Sequence, residues 1–116
     1  MIDNEALCKE LKAFAAERDW EQFHTPKNLA ASISIEAAEL LELFQWSRGQ
    51  RWEELQEPKL KSRTSEELAD VLLYLVRFAD LAGIDLEQAA RQKMQANAAK
   101  YPVEKFKGSD RKYNEE

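Results

Sequence analysis

Apolar residues recur along this chain at three- and four-residue intervals and nowhere alternate in the two-residue rhythm of a strand, which predicts helices throughout. Leu7, Leu11 and Phe14 fall at i, i+4 and i+7, the stripe of a first helix that starts on Asp3 or Asn4 as N-cap and runs to about Asp19. The next five residues, Trp20-Glu21-Gln22-Phe23-His24, are aromatic-rich and lack helical periodicity. Thr25-Pro26 restarts the chain, with Thr25 as N-cap and Pro26 at the first helical position. The second helix extends to about Trp46, with Leu29, Ala30, Ile33, Ala37, Leu40, Leu41 and Phe44 on one broad face. Glu36 lies at the edge of that face, Ser32, Glu39, Leu43 and Trp46 beside it, and Ile35 further round. So little of this circumference is polar that most sides need a cover, which predicts a subunit interface.

Residues 47–63 are polar, contain Gly49 and Pro58, and read as a connection with a short helical piece around Trp52–Gln56. Two starts compete for the third helix. Thr64-Ser65-Glu66-Glu67 has the form of a capping box that would occupy Glu67, whereas a start near Pro58 leaves Glu67 free. Either way the helix continues to Ala82 and stops at Gly83, with Leu68, Leu72, Leu75, Val76 and Ala79 as its core stripe. Glu67, Asp70, Tyr74, Arg77 and Leu81 share its other side. Asp85 caps a fourth helix, with Gln88 completing a box-like pattern, that ends near Tyr101 before Pro102. Its face carries Leu86, Ala90, Lys93, Met94, Asn97, Lys100 and Tyr101, a polar stripe suited to a pocket wall or a wet interface.

With 116 residues, three glycines and three prolines, the chain is expected to be one all-α domain of four helices over residues 1–102, followed by a charged tail, 103–116. That tail is either disordered or lies across a neighbour's pocket. A core this small favours assembly with further subunits. The net charge of −5 and the lack of a basic block argue against a duplex nucleic-acid partner. No apolar run is long enough for a bilayer, and the acidic start Met1–Glu5 predicts no signal peptide. The lone Cys8 fits a reducing compartment, so a cytoplasmic protein is expected.

Two acidic pairs break the apolar pattern: Glu36 with Glu39, and Glu67 with Asp70. A three-residue spacing puts both side chains of a pair on one helix face, ~5–6 Å apart at Cβ. One such pair is ordinarily a solvated face. Two of them inside strongly apolar helices carry like-charge repulsion and lost hydration, both of which a divalent cation removes. Oxygen-only ligation suits Mg²⁺ or Mn²⁺. A ferritin-like di-iron site would need Glu-x-x-His on two helices, and the only histidine, His24, lies in a loop.

The stretch Phe14-Ala-Ala-Glu-Arg-Asp-Trp-Glu-Gln-Phe-His24, with Pro26-Lys27-Asn28-Leu29, resembles the dCTP pyrophosphatase branch of the MazG-like all-α nucleotide pyrophosphohydrolases. The likeness continues through Glu36-x-x-Glu39-Leu40, Glu42-Leu43-Phe44-Gln45-Trp46, Glu67-Leu68-x-Asp70-Val71-Leu72-x-Tyr74-Leu75-Val76 and Lys93-Met94-x-x-Asn97-x-x-Lys100-Tyr101-Pro102. It implies a Mg²⁺-dependent enzyme that converts a (deoxy)nucleoside triphosphate, dCTP or a base-modified dCTP first, to the monophosphate and pyrophosphate. Glu36, Glu39, Glu67 and Asp70 become the metal ligands, with Glu36 or Glu39 also orienting or deprotonating a water. The resemblance further implies a homo-oligomer, at least a dimer and by analogy a tetramer. Lys93 and Lys100 become phosphate contacts, Asn97 a sugar or base contact, and Tyr101 closes that motif. Trp20, Phe23, Trp46 and Tyr74 are the candidates to stack a base, with His24 donating to it or stacking on it; Phe23 fits the core equally well. Trp52 reads as loop packing or a lid. Where the family often has Gly the chain has Ala38, which narrows the site, and Lys27 and Lys100 replace frequent Arg, losing the bidentate fork. Two rivals stand: the same chemistry on dUTP or a damaged purine triphosphate, and a non-catalytic helical interaction module.

Overall fold

A computed structural model describes residues 1–112, and every described regular element is helical. The order is α1 (Asn4–Glu17), a 3₁₀ turn (Glu21–Phe23), α2 (Pro26–Glu42), a second 3₁₀ turn (Trp52–Gln56), α3 (Pro58–Ala82), α4 (Leu86–Lys100) and the single turn α5 (Val103–Phe106). The fifth helix, one turn long, is added to the four expected. The chain forms two compact units, one over Met1–Gly83 and one beginning at Ile84.

Local chemistry sets the ends. Asp3 Oδ1 accepts from the Ala6 N–H at 3.0 Å, Thr25 Oγ1 from the Asn28 N–H at 3.1 Å, and Asp85 Oδ1 from the Gln88 N–H at 3.0 Å, as N-caps should. α1 closes in a Schellman motif. The Trp20 N–H donates to the Ala15 carbonyl at 2.9 Å and the Asp19 N–H to that of Ala16 at 3.2 Å, with Asp19 at φ 54°. That left-handed residue turns the chain so that Trp20 leaves the helix axis. α3 begins at Pro58, not Thr64. Glu57 accepts from the Lys59 and Leu60 N–H groups at 3.1 and 2.8 Å, while the Thr64 hydroxyl donates back to the Leu60 carbonyl inside the helix. Of the two competing starts the earlier one holds, and Glu67 sits mid-helix with no capping task. α2 is shorter than its periodicity suggests. After Glu42 the N–H groups of Phe44, Gln45 and Ser47 bond three residues back, so Leu43–Trp46 is a tightened run of turns.

Within the first unit α3 packs on α2 and on α1, and the Trp52–Gln56 turn packs on α3. The buried apolar residues among those described are Ala15, Leu29, Val76 and Ala79. Several residues expected in the core are not covered: Phe14, Leu41, Leu68 and Leu75 are exposed, Leu41 by 71%. Within the first unit α1, α2 and α3 do not enclose one another on all sides, and part of the apolar faces of α2 and α3 is exposed.

α3 ends at Gly83, φ 69°. A Cβ there meets open space, so the cost of a side chain is backbone strain alone. Gly83→Ala is expected to lower the unfolding free energy by about 1 kcal/mol in urea titrations, without loss of helix content. In the second unit, Asp85 caps α4, and Tyr101 packs edge-to-face on Phe106 at 4.9 Å. The guanidinium of Arg111 lies over the same ring, 5.0 Å from its centroid, and donates to the Lys105 carbonyl. The tail is therefore folded on itself over residues 103–112; its last four residues, 113–116, lie outside the described residues. Among the described residues no helix is long and apolar enough to cross a membrane.

Candidate metal and nucleotide site

The packing of α2 on α3 brings the two acidic pairs together. Glu36, Glu67 and Asp70 each place a carboxylate oxygen so that all three lie within 4.8 Å of one another. Glu39, exposed one turn along α2, reaches hydrogen-bonding range of both Glu36 and Glu67. Glu36 and Glu67 are half-buried, and the Oε2 atom of each is sequestered with no hydrogen-bond partner. Ionised carboxylates have no proton to give one another, so their closeness favours the protonated form. Burial, a hydrogen bond to Glu39 and the charges of Glu39 and Asp70 push Glu36 up to about 7. Burial first, and then Glu39, raises Glu67 as well. Two orphaned oxygens inside an all-oxygen donor set fit a hard divalent cation, which would satisfy both at once.

Beside this cluster opens a cavity of about 270 Å³, near the lower bound of small-molecule pockets. Asp70 belongs to both. Phe14, Trp20, His24, Tyr74 and Arg77 line the cavity with it, so a ligand there has the acidic cluster at one edge and aromatic rings around it. Trp20 meets Phe14 edge-to-face at 5.6 Å and stays 44% exposed. Trp20, His24 and Tyr74 also border an adjoining cavity with Phe23, Asn28 and Ser32. Phe23, 57% exposed, is on that second wall and not in the core.

Two aromatic candidates lie elsewhere in the first unit. Trp46 follows the turns after α2 and is 92% exposed, away from the lining of the Asp70 cavity. Trp52 opens the second 3₁₀ turn, also exposed, and borders a separate cavity with Phe44 and Arg51. Lys93, Asn97 and Lys100 are exposed along one face of α4, and Tyr101 is its C-cap.

One residue with no role assigned from sequence stands out. Arg77 is only 4% exposed, and its Nε donates to His24 Nδ1 at 3.1 Å while Nη1 lies 3.9 Å from Asp80. The signal was present, since Arg77 shares the helix side of Glu67, Asp70 and Tyr74. Its partner 53 positions away was not visible. Burial, and secondarily the Arg77 charge, lower the His24 pKa, against a smaller opposing effect of Glu21.

Known proteins resemble this chain over most of its length. The chain is 47% identical over 103 residues to dCTP pyrophosphatase 1 of Rattus norvegicus and 46% identical over 103 residues to that of Homo sapiens, in each case over 88% of this chain. It spans 61% of the length of those curated relatives. The crystal structure of a pyrophosphatase from Archaeoglobus fulgidus superposes with a TM-score of 0.78 at 48% identity, over 84% of this chain and 91% of that one. A family model described as MazG-like matches residues 31–115, a stretch that holds all four clustered acids, and the chain belongs to the MazG-like family.

Proposed function

We propose that the chain is a Mg²⁺-dependent nucleoside triphosphate pyrophosphohydrolase acting on dCTP or a base-modified dCTP, releasing the monophosphate and pyrophosphate. The observation that carries this is the convergence of the Glu36, Glu67 and Asp70 oxygens at the edge of an aromatic cavity. The names of the curated relatives point to the same substrate.

Glu36, Glu67 and Asp70, with Glu39 beside them, would hold the cation; Mn²⁺ fits the same donors. Bound there, the ion would neutralise charge on the phosphate oxygens during in-line attack at the α-phosphorus. Glu39 stands outside the trio and faces solvent, so it is the acid best placed to orient the attacking water and take its proton; Glu36 is the second candidate. Trp20 and Tyr74 hold the base by stacking, worth ~1–3 kcal/mol per base, and His24 meets its polar edge. Trp46, Lys93, Asn97, Lys100 and Tyr101 complete the substrate contacts on the strength of the family motif, the lysines as point charges on phosphate. Residues 1–102 form the catalytic domain and 103–116 its tail. The bare faces of α2 and α3, with Ile35, Leu41, Leu68 and Leu81 exposed, support assembly into a dimer or tetramer of this chain. The lone cysteine fits work in the cytoplasm.

A panel of deoxynucleoside triphosphates incubated with protein and Mg²⁺, read by pyrophosphate release, tests the reading. Release with dCTP, lost on adding chelator and in Glu39→Ala, is expected. Silence with every nucleotide would leave a helical interaction module.

A further inference from the structure

The hydrogen bond between Arg77 and His24 fixes more than a side-chain position. An arginine Nε–H can only donate, so the His24 Nδ1 it meets must be an unprotonated acceptor. A neutral imidazole whose Nδ1 accepts carries its proton on Nε2. The two residues come from distant parts of the chain, α3 and the turn before Thr25, and both line the cavity that ends at Asp70. Arg77 is buried, and Asp80 lies 3.9 Å from its Nη1 at the other end of the guanidinium. It therefore has little freedom to swing away and let the ring flip.

We infer that Arg77 is a positioning residue that locks His24 in its neutral Nε2–H tautomer, so the ring offers a bound base a hydrogen-bond donor and rejects a donor at the same point. The ligand half of this inference rests on the nucleotide reading given above; the tautomer half does not. Chemically, the base must present an acceptor, a ring nitrogen or carbonyl oxygen, to His24. A site built to pair a polar group discriminates far more sharply than an apolar wall, because a mismatched ligand leaves a buried group unpaired. The charged groups facing the ring are the Arg77 guanidinium from α3, which opposes a second ring proton, and Glu21 from the 3₁₀ turn, which favours one.

His24 is the only histidine, so its ring nitrogens can be read without assignment in ¹⁵N-detected spectra of the whole, unmodified protein. At neutral pH the spectrum is expected to show an unprotonated Nδ1 and a protonated Nε2. An Nδ1–H tautomer, or an imidazolium, would overturn the inference before any variant is made. Arg77→Met should mix the tautomers, move the histidine titration upward and lower kcat/KM for dCTP about tenfold; Arg77→Lys, which keeps a donor, should restore the tautomer in part. Unchanged tautomer and kinetics in Arg77→Met would contradict the assignment. His24→Gln, whose amide N–H reaches the Nε2 position, should keep more activity than the shorter His24→Asn, and the reverse order would contradict the donor role. Adding dCMP with Mg²⁺ should perturb the Nε2–H signal. A dCMP response in tryptophan fluorescence that leaves Nε2 unmoved would sink the ligand half alone. Absence of both dCMP binding and pyrophosphate release would instead remove the nucleotide reading and the ligand half with it, leaving Arg77 to be decided by the tautomer.

Discussion

Glu36→Gln is expected to do two opposite things: to cut hydrolysis by ~10²–10⁴-fold, the scale on which positioned acid and base groups act, and to raise the melting temperature of the metal-free protein. The first follows from losing one oxygen ligand of the cluster and one candidate acceptor of the water proton. The second follows from electrostatics. Without metal, Glu36 is half-buried among three other carboxyl groups, with an orphaned Oε2. A glutamine amide donates to the neighbouring carboxylates and removes one like charge. Allowing for solvent screening, the gain is of order 1 kcal/mol, which for a small domain is a rise of roughly 4–8 °C. Thermal melts in chelator and initial rates with Mg²⁺ read the two effects on the same samples. If the variant lost activity and also melted lower, Glu36 would be a structural residue and not a strained ligand.

The second large effect is on the pH dependence of stability. Glu36 is raised to about 7 in the folded protein from an ordinary 4.5, and Glu67 moves in the same direction. A raised carboxyl binds its proton more tightly folded than unfolded. Its contribution is therefore fully present below about 4.5 and lost as pH rises through about 7. Metal-free protein should melt several degrees lower at pH 8 than at pH 5.5, and saturating Mg²⁺ at pH 8 should recover the difference by binding only the folded state. His24, lowered in the fold, works the other way, losing stability as pH falls below its ordinary 6.5. The comparison of wild type with Glu36→Gln isolates the carboxyl part. A wild-type profile no steeper than that of the variant would show that the four acids do not repel one another.

Helices and caps were legible because their causes are local. Thr25-Pro26, Asp85 and Gly83 carry their boundary chemistry within four residues, and each boundary falls where that chemistry puts it. Boundaries are less legible where signals compete or are missing. Thr64 and Glu57-Pro58 both resemble a helix start, and sequence could not weigh them. Nothing in Leu43–Trp46 breaks a helix, so periodicity overran the true end at Glu42. The acidic pairs were legible for a different reason: charge on an apolar helix has to be explained, and the explanation is found where two helices cross. Cover was not legible in detail. Leu68 and Leu75, expected in the core stripe with Leu72, Val76 and Ala79, are exposed, since periodicity says which face is apolar and not what covers it. The Arg77–His24 bond lay beyond sequence altogether, because it depends on α3 meeting a loop 53 residues away.

The central claim, that the α2 and α3 acids meet at a divalent cation, is tested most directly by titrating Mn²⁺ into the metal-free protein and following the free ion by electron paramagnetic resonance. The wild-type chain should withdraw Mn²⁺ from solution, and Glu36→Gln/Glu67→Gln, with helix content intact by circular dichroism, should leave it free. Equal uptake by both proteins would contradict the account, since scattered surface acids would then bind the ion as well as the cluster does.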